Sequence, residues 1–382
     1  MSVTTPLNDS LKALALADPE SAPETAGSEL EEDDAPDSDE EERKQAESQR
    51  QQALDHIQQT YGLTTIPDSN VESLPADDEL TSDIPLDTNY IDLIHLKISS
   101  LENLRLERFP NLESINLRSN LITSLSALKR ITKETKEKIE ELDFYDNRIK
   151  HISSHVNEFS NITSLDLSFN NIKHIKHVDK LTRLENLYFV QNKISKIENI
   201  EPLTELTNLE FGGNRINKIE NLDTLTNLRQ LWLGQNKIVK LEGLSQLRNL
   251  RVLSIQSNKI SKIEGLEALE SLEELYLSHN KLTQIEGLSN LKNLQVLDIT
   301  GNQITHLSGL EDLTQLTDLW CSYNRIADYG NIAKACKNCK QLETVYFEGN
   351  PVQLNEPAMY RTKLRLCFGP SLAKIDALYL NK

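Results

Sequence analysis

The sequence predicts an α/β solenoid of about twelve 22-residue units, each adding one strand to a parallel, concave sheet. Three observations lead there. An asparagine returns every 22 residues, at Asn170, Asn192, Asn214, Asn236, Asn258, Asn280, Asn302 and Asn324. The letters before it alternate between apolar and polar, as in "ELYLSHN" at 274 to 280. The letters after it are apolar at every third place, as in Ile194, Ile197, Ile200 and Leu203.

Aligned on the asparagine, the units share the template L-x-x-L-x-L-x-x-N-x-I/L, with the first Leu as position 1 and the Asn as position 9. Asn120, Asn147 and Asn350 extend the series across longer intervals, and a degenerate first unit is expected to start at Ile91 with Ser99 at position 9. Alternation at positions 3 to 7 describes a short strand with one face buried, so Leu275 and Leu277 point into the core and Tyr276 does not. Apolar residues three apart suit short 3₁₀ or helical returns on the convex side. The amide of each Asn is placed to bond backbone groups of its own coil and the neighbouring one, which avoids an unpaired buried polar group. This is the leucine-rich-repeat pattern, in which one unit cannot bury its own apolar face and must stack. Twelve strands at about 4.8 Å each give an inner surface on the order of 50 Å long. After the last strand, "GNPVQLNEPAMYRTKLRLCFGPSLAKID" breaks the pattern with Pro351 and a helix, as a C-terminal cap would.

Charge divides the chain. Residues 1 to 90 hold 23 acidic residues against four basic ones, whereas residues 91 to 382 hold 36 against 37. The segment "ELEEDDAPDSDEEE" (29 to 42) has ten acidic residues in fourteen and cannot bury enough apolar surface to offset its ordering entropy. Residues 1–82 are therefore read as an acidic, mostly disordered tail, with a short helix across "QAESQRQQALDHIQQ". Residues 83–340 are read as the repeats, and 341–382 as the last strand and cap. No membrane-spanning run or signal sequence is seen, so an intracellular protein is expected. The four cysteines suit a reducing compartment. Cys336 and Cys339 have metal spacing, but Cys321 falls on a core position, so ordinary thiols are expected.

The variable letters on the inner face are read from position 5: His95, Asn116, Asp143, Asp166, Tyr188, Glu210, Trp232, Ser254, Tyr276, Asp298, Trp320 and Tyr346. Five are aromatic, four acidic and none basic. Basic residues gather instead at position 10 (Arg148, Lys193, Arg215, Lys237, Lys259, Lys281, Arg325) and position 13 (Lys196, Lys218, Lys240, Lys262). Aromatics have good strand propensity, which alone could fill position 5. Aromatics interleaved with carboxylates are also what a protein-binding face presents, and that reading is preferred. Gly212, Gly213 and Gly234 either let a partner approach or serve as turn glycines.

Catalysis finds no phosphate-cradling loop and no nucleophile elbow, and no cofactor is expected. His151 and His174 stand at position 13, where later repeats carry Lys, with no evident carboxylate partner, so no metal site is expected. An acidic, aromatic inner face would repel phosphates, which argues against nucleic acid.

The units "NKISKIENI", "NRINKIENL" and "NKISKIEGL", the string "LYLSHNKL" and the ending "LETVYFEGNP…YR…GPSLAKID" resemble the leucine-rich-repeat regulatory subunits of protein phosphatase 1, across roughly residues 85 to 382. The resemblance implies a non-catalytic subunit that grips the phosphatase catalytic subunit with its concave face. The matching positions are Asp166, Tyr188, Glu210, Trp232, Asp298, Asp318, Trp320 and Tyr346. It further implies a second inhibitory subunit in a ternary complex, control of phosphatase maturation and mitotic use (cell cycle, chromosome segregation), and residence in nucleus and cytoplasm. The R-V-x-F docking string is absent: "RVLSI" and "TVYF" fall inside strands. The other reading is a scaffold of the same architecture for another intracellular partner, spliceosomal or cytoskeletal.

Overall fold

The computed structural model describes residues 79–380. The acidic tail and the short helix expected within it lie outside the described residues. Twelve three-residue strands, from β1 (Tyr90–Asp92) to β12 (Thr344–Tyr346), pair in parallel and in strict chain order. A thirteenth, β13 (Lys374–Ile375), continues the parallel run, and β14 (Leu378–Tyr379) turns back antiparallel to close the edge.

Strand register follows the template: Leu253, Leu275, Leu297 and Leu319 stand side by side at position 4 and are sealed from solvent. Position 6 forms a second inner column, in which the Phe189 and Phe211 rings stack 5.6 Å apart. Between strands the chain returns through successive tight turns, as when Leu203 N–H bonds Ile200 O and Leu206 N–H bonds Leu203 O. The two long intervals are taken up by helices, α1 (Lys133–Lys136) before Asn147 and α2 (Tyr329–Ala335) before Asn350. The inserted residues thus bulge from the returns and leave the strand register intact.

The asparagine ladder ties the coils together. Asn258 Oδ1 accepts from Ile238 N–H at 2.9 Å, while Nδ2 donates to Leu233 O on the preceding coil and to Ile255 O and Gln256 O on its own. The same set recurs from Asn120 to Asn350 with few changes. The residue before each Asn adopts a positive φ, even Phe169 and Tyr323 at 54°, to turn the amide inward. This accounts for Gly213, whose φ is 70° and which lies against the Gln191 side chain.

The first coil corrects the expected register. Ile91 pairs with Ile115 and Asp92 with Asn116, which puts Ile91 at position 4, not 1, and Asp92 at position 5 in place of His95. Position 9 then falls on Leu96, which is exposed. The physical reason is that a position-9 Asn ties a coil to the one before it, and among the described residues no strand precedes this coil. Without that anchor in the sequence, the three-residue apolar spacing fits more than one register.

The last coil has the opposite need. In the interior, position 6 N–H bonds the position 5 carbonyl of the next coil, as Phe211 does to Trp232. Phe347 has no such neighbour, and Asp376 Oδ1 accepts its N–H at 3.0 Å and that of Glu348 at 3.2 Å. Tyr360, on helix α4 (Tyr360–Leu366) after the short α3 (Pro351–Leu354), donates its hydroxyl to the same carboxylate. The four thiols are free, Cys321, Cys336 and Cys339 buried and Cys367 partly so, and burial pushes the Cys321 thiol well up.

Asn258→Ala should cost about 1–3 kcal/mol, since it strands buried donors and acceptors on two coils at once, whereas Lys259→Ala should stay within about 0.5 kcal/mol. Urea unfolding of both variants checks this.

Candidate functional site

Every strand of the solenoid offers one position-5 side chain to the concave face, and the sheet's curvature presses these side chains together. From Tyr188 the column alternates large and small: Tyr188, Glu210, Trp232, Ser254, Tyr276, Asp298, Trp320. Trp232 and Tyr276 sit two strands apart, on the order of 9.6 Å, yet their ring centroids are 6.5 Å apart. Tyr276 and Trp320 likewise converge to 6.2 Å, and Trp320 meets the Tyr346 ring edge-on at 6.0 Å. The rings lean over the short side chains between them. Ser254 is 1% exposed and Asp298 8%, so Asp298, one of the expected contact residues, lies in the floor between the rings, its carboxylate accepting Thr300 N–H at 2.9 Å.

The sequence placed Tyr276 outside the core. It is half-buried, sandwiched by the flanking rings, with its hydroxyl bonded to Glu274 at 2.7 Å. Trp232 Nε1 and Trp320 Nε1 are screened from solvent and find no acceptor in the protein. At the C-terminal end Lys374 Nζ lies over the Tyr346 ring at 5.3 Å, and Asp318 accepts from the Thr317 hydroxyl at 2.8 Å.

The N-terminal half of the face is acidic. Asp92 joins Asp143, Asp166 and Glu210 there once the first coil is correctly placed. Arg118, at position 7, bonds Asp143 at 3.0 Å and lies over the Tyr145 ring at 4.1 Å, with Phe169 beyond it. Burial pushes the Asp166 carboxyl up to about 6, helped by the neighbouring Asp143 charge and opposed by the Ser168 N–H. Burial also raises Asp143 despite its Arg118 partner, and Glu210 despite the Asn208 amide. Tyr188 joins the cluster through Asn208, whose amide reaches the Tyr188 hydroxyl at 3.3 Å and Glu210 at 3.4 Å.

Seven of the eight expected residues thus line one face, in an acidic half and an aromatic half, with Asp298 beneath. Position 7 contributions from Arg118 and Tyr145 were missed, because the inner face was read from position 5 alone. The position-13 histidines are not without acidic neighbours, since His174 Nδ1 stands 3.4 Å from Glu198. Among the described residues no group of three His, Cys, Asp or Glu is arranged to hold a metal ion.

Coil, ladder and concave strand define a leucine-rich-repeat protein. The family model "Leucine Rich repeats (2 copies)" matches residues 204–246, 226–268 and 270–313, and "Leucine Rich repeat" matches 160–173. The chain is similar, more particularly, to phosphatase regulatory subunits. It is 53% identical over 117 residues to Protein phosphatase 1 regulatory subunit SDS22 of Saccharomyces cerevisiae, covering 31% of this chain and 34% of that protein. The Schizosaccharomyces pombe protein of the same name is 48% identical over 89 residues, 23% of this chain and 25% of that protein. The matches therefore span about a third or less of these relatives' length. Among solved structures, an internalin from Listeria monocytogenes superposes with a TM-score of 0.65 at 25% identity, covering 80% of this chain and 84% of that one. A leucine-rich-repeat protein of Leptospira interrogans gives 0.56 at 26% identity, covering 71% and 74%.

A carboxyl held neutral by burial in the folded chain, but ionised in the unfolded one, makes stability fall as pH rises from the ordinary aspartate range to about 6. Asp166→Asn should therefore stabilise the protein more at about pH 7.5 than at about pH 4.5. Urea titrations at both values check it; an equal difference at both would refute the assignment.

Proposed function

We propose that this chain is a non-catalytic regulatory subunit that binds the catalytic subunit of protein phosphatase 1 through its concave face. The names of the two yeast relatives support the partner. One structural observation supports the face: two indole N–H groups, on Trp232 and Trp320, are shielded from solvent and unpaired within an aromatic column. An unpaired buried donor costs free energy that an acceptor on a docked partner would recover. The acidic half, from Asp166 to Glu210, supplies charge for orientation, since carboxylates across an interface steer a basic partner and fix register.

The column's chemistry is that of a binding surface. Trp232, Tyr276, Trp320 and Tyr346 form a contiguous rigid anchor, Asp318 and Glu210 border it, and Asp298 supports it from below. In this reading the subunit acts by occupancy, holding the phosphatase in a restrained state during its maturation and its nuclear and mitotic use, together with a second inhibitory subunit.

Trp320→Ala should weaken binding to purified catalytic subunit by about 2 kcal/mol or more, as truncating a buried aromatic anchor does. Glu210→Lys should weaken it further by placing repulsion where there was attraction. Lys262→Glu, on the paired basic column away from the face, should bind as wild type. Circular dichroism confirms folding of each. Wild-type binding by both inner-face variants, with loss in Lys262→Glu, would move the interface to another surface.

A further inference from the structure

Two basic columns run along the coils, and they are electrostatically different. At position 13, Lys218, Lys240 and Lys262 lie against glutamates of their own coil, and Lys240 and Lys262 also against those of the next. Lys240 Nζ lies 3.9 Å from Glu242 and 3.7 Å from Glu264, and Lys262 Nζ lies 3.4 Å from Glu264 and 3.8 Å from Glu286. At position 10, Lys193, Arg215, Lys237, Lys259 and Lys281 stand on five successive coils, with Arg148 and Arg325 further along the same line. Among the described residues no carboxylate lies within 4.0 Å of their side-chain nitrogens. Their neighbours at position 12, Ser195, Asn217, Val239, Ser261 and Thr283, are short and exposed; Arg215, Lys237, Lys259 and Lys281 are exposed and Lys193 half-buried.

This column is held in place. Each position-10 N–H bonds the position-11 carbonyl of the preceding coil, at 2.9 Å for Lys193 and 2.8 Å for Arg215, Lys237, Lys259 and Lys281. Five like charges spaced at about 4.8 Å extend over roughly 20 Å and repel one another. The glutamate arrangement two columns away shows that the same coils can neutralise lysines, and at position 10 they do not.

We infer that the position-10 column is a docking surface for an extended, acidic polypeptide segment of a partner. It is a second surface, independent of the concave face. An extended acidic segment rises about 3.4 Å per residue and turns alternate side chains to one face, so its carboxylates meet the column about 6.8 Å apart, close enough for each to lie against one or two of the cations. A nucleic acid is disfavoured because the coils' glutamates at position 15 and the acidic concave face would repel its phosphates, and the oligonucleotide arm of the test decides between the two. Residues 91 to 382 are close to neutral overall, and the same coils carry Glu220, Glu242, Glu264 and Glu286 against the position-13 lysines.

The test uses the full chain and two probes of equal charge, a fluorescein-labelled peptide of alternating Glu and Ser and a labelled single-stranded oligodeoxynucleotide. Wild type is compared with the double variants Lys237→Glu/Lys259→Glu and Lys240→Glu/Lys262→Glu by fluorescence anisotropy at low and physiological salt. The peptide should bind wild type more tightly than the oligonucleotide does, and less tightly as salt rises. The position-10 variant should lose about tenfold or more, and the position-13 variant less than about threefold. Unchanged binding to the phosphatase catalytic subunit would separate this surface from the concave one. Absence of peptide binding by wild type, equal losses in both variants, or tighter binding of the oligonucleotide would each overturn the proposal.

Discussion

The buried asparagine amide is the constraint on which the solenoid depends. Each coil has one apolar face and a tight turn whose backbone groups point inward, and neither can be satisfied within a single unit. The position-9 side chain resolves both at once, accepting from one coil and donating to two, as Asn258 does between Ile238, Leu233 and Ile255. The positive φ before it follows from this demand, and so does the exact repeat length, because a coil of different length would carry its amide away from the waiting groups. Where the chain inserts residues, they bulge outward as α1 and α2 and return in time for Asn147 and Asn350. At the ends the ladder must be replaced, by Leu96 needing no bond and by Asp376 supplying one.

With the backbone fixed in this way, the concave face becomes a crowding problem. Side chains on adjacent strands of a concave sheet share limited space, and the alternation of aromatic with short residues resolves it. Ser254 and Asp298 are floor, and the rings of Trp232, Tyr276 and Trp320 close above them. In the acidic half the carboxylates of Asp143, Asp166 and Glu210 are themselves partly buried and bear the cost of burial directly, as their raised affinities for protons show. One half of the face is thus apolar and rigid, the other polar and sensitive to protonation.

Most of this architecture is legible in the sequence because it is local and repeated. The period, the in and out sense of each strand and the role of the asparagine follow from letters a few residues apart. The failures come where a neighbour decides. His95 was assigned to the face because the first coil lacks the Asn that sets the register. The burial of Asp298 is likewise hidden in the sequence, because it depends on side chains 22 residues away on either side. The K-I-E spacing in the sequence already pairs Lys240 with Glu242, but the second glutamate, Glu264, lies across the coil boundary and shows only in the structure. A 44-residue alternation through Tyr188, Trp232, Tyr276 and Trp320 was present in the sequence and would have revealed the ring column.

That alternation gives the molecule a parity that its backbone lacks. Along the main chain, any coil can follow any other, and gain or loss of a single unit leaves the stack continuous. From Tyr188 to Trp320 the ring column distinguishes odd coils from even ones, so a one-unit duplication between Trp232 and Tyr276 would put the alternation on either side of it out of phase. Lengthening this protein without breaking its inner face requires adding coils in pairs, and the genuine modular unit of the surface is twice that of the fold.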